Sequence, residues 1–150
     1  MPRPANLHPT DGELEILRVL WANGPCSLSG LCEELRQQRE VAATTAATML
    51  RVMSDKNLVK RTGSGRGATW AAAVSQQKTE RGMVRKLVDR VFDGAADRLV
   101  AHLVEGGQLS AEQLGDLRRL IDTQENNATT TTRRTRRKKQ KEIGRREKNN

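Results

Sequence analysis

Apolar positions recur at helical spacing through the first third of the chain. Leu14, Leu17, Leu20 and Trp21 form one stripe, preceded by Thr10-Asp-Gly-Glu13. That tetrapeptide has the form of a capping box, in which the hydroxyl takes a free backbone N–H and Glu13 reaches back. Asn23-Gly24-Pro25 then stops the predicted helix. Ser27 can cap a second helix with Leu28, Leu31, Cys32 and Leu35 on its inner side. A third is predicted over about 43–56, with Ala46, Met49, Leu50 and Met53 inward. Asn57 follows it, where a left-handed cap is wanted.

The period then changes. Leu58-Val-Lys-Arg-Thr and Ala68-Thr-Trp-Ala-Ala are β-compatible and flank the turn-rich Gly63-Ser-Gly-Arg-Gly67. From about residue 75 the pattern is helical again. Met83, Val84, Leu87, Val88, Val91 and Phe92 form one stripe, and Ala96, Leu99, Val100, Leu103 and Val104 another, with Gly94 between them. After Gly106-Gly107, Ser110-Ala-Glu-Gln113 reads as a second capping box. It leads Leu114, Leu117, Leu120 and Ile121. Beyond Glu125 the Asn-, Thr-, Arg- and Lys-rich composition has no apolar period and predicts disorder.

The expected fold is therefore mainly α (α+β), a winged helix-turn-helix with a small β-hairpin wing. The expected divisions are residues 1–74, a winged-helix DNA-binding domain; 75–125, a helical dimerisation domain; and 126–150, a disordered basic tail.

Composition sharpens this picture. Of the 150 residues only 35% are hydrophobic, and the aromatics are Trp21, Trp70 and Phe92. So small a supply of bulky side chains argues against an enzyme fold with a deep apolar pocket. It favours short helices that complete their burial on a partner chain. The net charge is +9, but residues 126–150 carry +8 of it. The more informative excess lies in residues 41–74, where Arg51, Lys56, Lys60, Arg61 and Arg66 face only Asp55.

No apolar run approaches the ~18 residues of a membrane span. The opening residues lack the apolar core of a signal peptide, so a cytoplasmic protein without membrane insertion is expected. Cys26 and Cys32 fit a reducing compartment and do not give zinc spacing with His8 or His102. With no Ser/His/Asp set, P-loop or G-x-G-x-x-G, neither an enzyme nor a cofactor is expected.

The third helix carries the most readable chemistry. Thr44, Thr48 and Arg51 share one face opposite the apolar stripe, with Thr45 and Ala47 beside them. Short hydroxyls and methyls let a helix sit deep in a major groove, and Arg51 can reach a guanine edge or a phosphate. Thr is a poor helix former, so an ordinary solvated face would carry this composition at a cost without return. At the tip of the hairpin, Arg66 can enter a minor groove or lie along the backbone. Lys60 and Arg61 are candidate phosphate contacts. Leu87, Val91, Phe92, Leu99, Leu103, Leu114, Leu117, Leu120 and Ile121 are the candidate dimerisation residues.

These segments together resemble the penicillinase-repressor family of bacterial transcriptional regulators (BlaI/MecI/CopY type). The resemblance rests on Leu7-His-Pro-Thr-Asp-Gly-Glu-Leu-Glu-Ile-Leu-Arg-Val-Leu-Trp21, on Thr44-Thr45-Ala-Ala-Thr48-Met-Leu50 and on Gly65-Arg66-Gly-Ala-Thr-Trp70. The rear helices add to it, and about residues 7–123 are covered. It implies a repressor that binds double-stranded DNA as a homodimer on a palindromic operator, with inactivation by a protease or membrane sensor partner as a further family property. Ala43, Val52 and Asn57 depart from the family pattern, so the operator need not be the family's usual one. The tail lacks the cysteine pair of the copper-responsive branch. Ala101-His102-Leu103 also differs from the bond cut in the β-lactam branch. Two rival readings make different predictions. A non-specific nucleic-acid or ribosome-associated protein driven by the tail would lose binding with it, and a protein-interaction module would not bind DNA at all.

Overall fold

The computed structural model describes residues 8–147. Residues 1–7, including Leu7 at the start of the resemblance, and the last three residues of the basic tail lie outside them. Helix α1 (Asp11–Asn23) begins at Thr10, whose hydroxyl accepts from the Glu13 N–H while the Glu13 carboxylate accepts from the Thr10 N–H. Gly24, at φ 77°, ends it. The Ser27 hydroxyl accepts from the Gly30 N–H and starts α2 (Leu28–Arg36). Helix α3 (Ala43–Asp55) follows, and Asn57 at φ 60° turns the chain out of it.

Leu58 and Val59 are buried, and from there the chain enters a three-stranded antiparallel sheet. Its order is β1 (Cys26–Ser27), β3 (Thr69–Ala72), β2 (Val59–Thr62). In register, Arg61 stands opposite Trp70, and Trp70 opposite Cys26. A single 3-10 turn, Gly65–Gly67, forms the hairpin tip. Strand β1 is an addition to the expected hairpin. Two residues carry no period, and their pairing with β3 is a long-range event.

The core is the common inner side of these elements. Ile16, Leu17, Leu31, Leu35, Leu50 and Met53 are almost completely inaccessible. Each such side chain contributes about 1.5–3 kcal/mol by leaving water. Cys32 belongs to this core and Cys26 packs at its edge, a free thiol whose Sγ lies 3.2 Å from the Gly24 carbonyl oxygen.

Helix α4 (Gln76–Val91), capped by Ser75, completes the first compact unit, which ends at Gly94. The expected division falls after residue 74, whereas this compact unit runs on through α4. The Trp21 indole N–H donates to the Val74 carbonyl (2.9 Å) just ahead of α4, Thr79 and Val88 of α4 are buried, and a Cβ on Gly82 of α4 would meet the His8 ring at 3.1 Å. The second unit, from Ala95, holds α5 (Ala96–Glu105) and α6 (Ala111–Glu147). The capping box at Ser110 forms as expected, with Ser110 N–H on Gln113 Oε1 and Gln113 N–H on Ser110 Oγ.

Helix α6 also corrects the expectation of a disordered tail: it continues to Glu147. The Lys, Arg, Gln and Glu of this segment are good helix formers, and propensity carries the helix on past its last apolar stripe. Its threonines, poor formers elsewhere, fold their hydroxyls back. Thr129, Thr130, Thr131, Thr132 and Thr135 each donate to the carbonyl four residues earlier.

Candidate nucleic-acid interface

The first compact unit carries a groove walled by α3, the wing and the first turn of α2. Its lining includes Ala47, Thr48 and Arg51 from α3, Arg61 and Arg66 from the hairpin, and Ser27 and Ser29 from the start of α2. Helical periodicity explains the α3 contribution. With Ala46, Leu50 and Met53 fully buried, positions 47, 48 and 51 are turned outward. The Thr48 hydroxyl donates to the Thr44 carbonyl (2.9 Å), which fixes its rotamer and leaves the oxygen lone pairs and the methyl group as its outward chemistry.

On the wing, Arg61 lies over the face of its cross-strand partner, its Cζ 5.6 Å from the Trp70 ring centroid. The ring holds the guanidinium by cation–π attraction while leaving its N–H fork available. Arg66 projects from the 3-10 turn and is exposed. Gly63, at φ 83°, lets the chain enter this turn, and a Cβ there would meet the Gly67 carbonyl oxygen at 3.4 Å. The floor of the groove is formed by Leu50, Ala68 and Trp70.

Three guanidinium groups thus converge on one groove, and among the described residues no carboxylate lines it. The first turn of α2 adds the positive end of a helix dipole. Helix α3 has Ala42 as its N-cap and so no side-chain cap, which leaves its first N–H groups to solvent or to an anion. Such a surface can hold phosphates along its rim and present short side chains and an arginine to base edges.

Of the residues expected to act on DNA, Ala47, Thr48, Arg51, Arg61 and Arg66 are brought together here. Thr44, Thr45 and Lys60 are exposed on the same elements but outside the groove lining. Ser29 and Trp70 also line the groove, and the sequence pattern does not mark either as a site residue. Ser27 was legible only as a cap, and the role of Trp70 depends on strand register. One member of the expected basic excess is committed elsewhere: Lys56 Nζ pairs with Glu13 Oε1 at 2.8 Å.

The expected dimerisation residues fall on α4, α5 and α6. Leu87, Val91, Leu114, Leu120 and Ile121 are exposed, while Phe92, Leu99, Leu103 and Leu117 are half-buried. Among the described residues, no cluster of His, Cys, Asp and Glu could hold a metal ion. No helix there is long and apolar enough to cross a membrane.

The penicillinase repressor family matches residues 9–123 of the chain. The penicillinase repressor of Bacillus licheniformis is 21% identical over 117 residues, covering 78% of this chain and 91% of that one. The methicillin resistance regulatory protein MecI of Mammaliicoccus sciuri is 20% identical over 113 residues, covering 75% and 92%. Among solved structures, the chain is similar to the Bacillus licheniformis BlaI monomeric form in complex with the blaP half-operator. There the identity is 21%, the coverage 47% of this chain and 85% of that chain, and the TM-score 0.41.

Proposed function

We propose that this chain, which belongs to the penicillinase repressor family, is a DNA-binding transcriptional repressor that works as a homodimer on a palindromic operator. The observation that carries this reading is the convergence of Thr48 and Arg51 with Arg61 and Arg66 on one groove free of carboxylates. In this reading α3 enters the major groove and the wing lies against the neighbouring backbone or minor groove. Thr48 and Arg51 read base edges, while Lys60, Arg61 and Arg66 hold phosphates.

The dimer is supported by apolar side chains that the single chain leaves in water. Val84, Leu87 and Val91 on α4, and Leu120 and Ile121 on α6, are between 43% and 63% exposed. Side chains of this kind at helical spacing are what a symmetric partner would cover. Bound across a promoter in the cytoplasm, such a dimer blocks polymerase. For a protease partner of the kind the resemblance implies, the stretch around Ala101-His102-Leu103 lies inside α5, so that helix must open before it is cut.

The test is selection of bound duplexes from a random pool. The expected result is an enriched palindrome, with the Arg51→Ala variant losing discrimination by about 1–3 kcal/mol at one position of each half-site. Recovery of no common sequence would sink the reading.

A further inference from the structure

The last part of α6 lies beyond the family match and is far more basic than the rest of the chain. Its charges are not spread evenly round the helix. At 3.6 residues per turn, Arg134, Arg137, Lys138, Lys141 and Arg145 fall within about a third of its circumference. Arg133, Arg136, Lys139 and Arg146 lie elsewhere. Thr130 and Thr131 continue the stripe toward the N-terminus and, with four of its cations, border one shallow depression. Apart from the adjacent Arg137 and Lys138, successive members of the stripe stand three or four residues apart, so their mutual repulsion works against the helix. Among the described residues none of the five forms an ion pair. A row of like charges held this way has its natural complement in a row of anions.

The chemistry of the segment selects among polyanions. After Ile121 the only large apolar side chain on α6 is Ile143, so there is no apolar face to enter a lipid interface. It also has no aromatic residue, so there is nothing on which unpaired bases could stack. What remains is a straight cationic edge about 16 Å long. A stretch of B-form duplex of that length carries on the order of ten phosphate charges.

We infer that the 134–145 stripe of α6 is a second DNA-contacting surface, one that grips the phosphate backbone of duplex DNA without reading its sequence. It would add affinity and salt dependence to the groove of the winged helix and leave its discrimination untouched. The choice of duplex DNA as the polyanion rests on the DNA-binding reading above; the stripe itself does not.

The test compares two full-length variants of equal net charge by fluorescence anisotropy. One is Arg134→Gln with Arg137→Gln and Lys141→Gln; the other is Arg136→Gln with Lys139→Gln and Arg146→Gln. Glutamine keeps helix propensity, and circular dichroism checks that both variants fold. The probes are the selected operator duplex and a duplex of random sequence, each titrated across a salt series. For the stripe variant, the slope of log K against log[salt] should fall by about 2–3, near 0.9 per lost phosphate contact. The operator-to-random affinity ratio should not change, and the off-stripe variant should keep most of the original slope. Equal losses in the two variants would reduce the stripe to diffuse charge and overturn the inference, as would no loss in either. Tighter stripe-dependent binding to duplex RNA, or to phosphatidylserine vesicles, would overturn the choice of DNA. If selection yields an operator while the stripe variant behaves as wild type, only this inference fails. If no operator emerges but the stripe slope persists on random duplex, only the repressor reading fails.

Discussion

Lys56 Nζ donates to Glu13 Oε1 at 2.8 Å and so joins the end of α3 to the start of α1. The second oxygen of the same carboxylate closes the capping box by accepting from the Thr10 N–H. Glu13 is 5% exposed, so these two donors, and not water, satisfy its carboxylate oxygens. Lys56→Ala should cost about 1–3 kcal/mol, because it leaves a buried carboxylate short of a charged donor. Urea unfolding measures this. Affinity for duplex DNA, corrected for the folded fraction, should stay the same; weaker binding at unchanged stability would make Lys56 a DNA contact instead of a structural cation.

The stacked position of Arg61 over Trp70 calls for a planar guanidinium. Arg61→Lys keeps the charge but should weaken duplex binding about two- to fivefold, the worth of an exposed cation–π contact. Trp70→Leu should do the same, and the double variant should be no worse than either single one. Additive losses in the anisotropy cycle would separate the two residues.

Asn57 adopts φ 60°, in the left-handed region. Asn57→Gly should leave stability unchanged or slightly raised, whereas Asn57→Val should lower it by about 1–2 kcal/mol. Thermal unfolding distinguishes them. Equal melting temperatures would show that the chain leaves α3 by another conformation.

Leu120 and Ile121 are 63% and 47% exposed in the single chain. Leu120→Glu with Ile121→Glu should cost the chain little by itself and shift it to monomer in sedimentation velocity. The same variant should lose affinity for the full palindrome while holding a half-site as well as wild type. A variant that stays dimeric would place the interface on other side chains.

Burial, and secondarily the charge of Glu34, raise the Cys26 thiol from its ordinary pKa of 9.0. A raised thiol pKa means that the fold favours the neutral form. Its contribution to stability is complete below the unfolded pKa and disappears as pH rises through the folded one. Unfolding free energy should therefore fall more steeply above about pH 9 for wild type than for Cys26→Ser. Parallel pH profiles would count against this.

Thr10, Ser27, Asn57 and Ser110 could be read directly because each acts on a backbone group no more than one turn away. The face of α3 was legible for a similar reason: burying Ala46, Leu50 and Met53 obliges Thr48 and Arg51 to point outward. Chain order hides contacts such as Lys56 with Glu13, 43 positions apart, and the Trp21 indole with the Val74 carbonyl, 53 apart. It likewise hides the addition of Cys26 and Ser27 to the sheet edge. Those depend on which surfaces are left to be covered once the helices have met, a quantity summed over the whole unit. The inclusion of α4 in the first compact unit and the gathering of Arg61, Arg66 and Arg51 round one groove belong to that level. Local codes set where each element starts and stops; joint burial set which of them became neighbours.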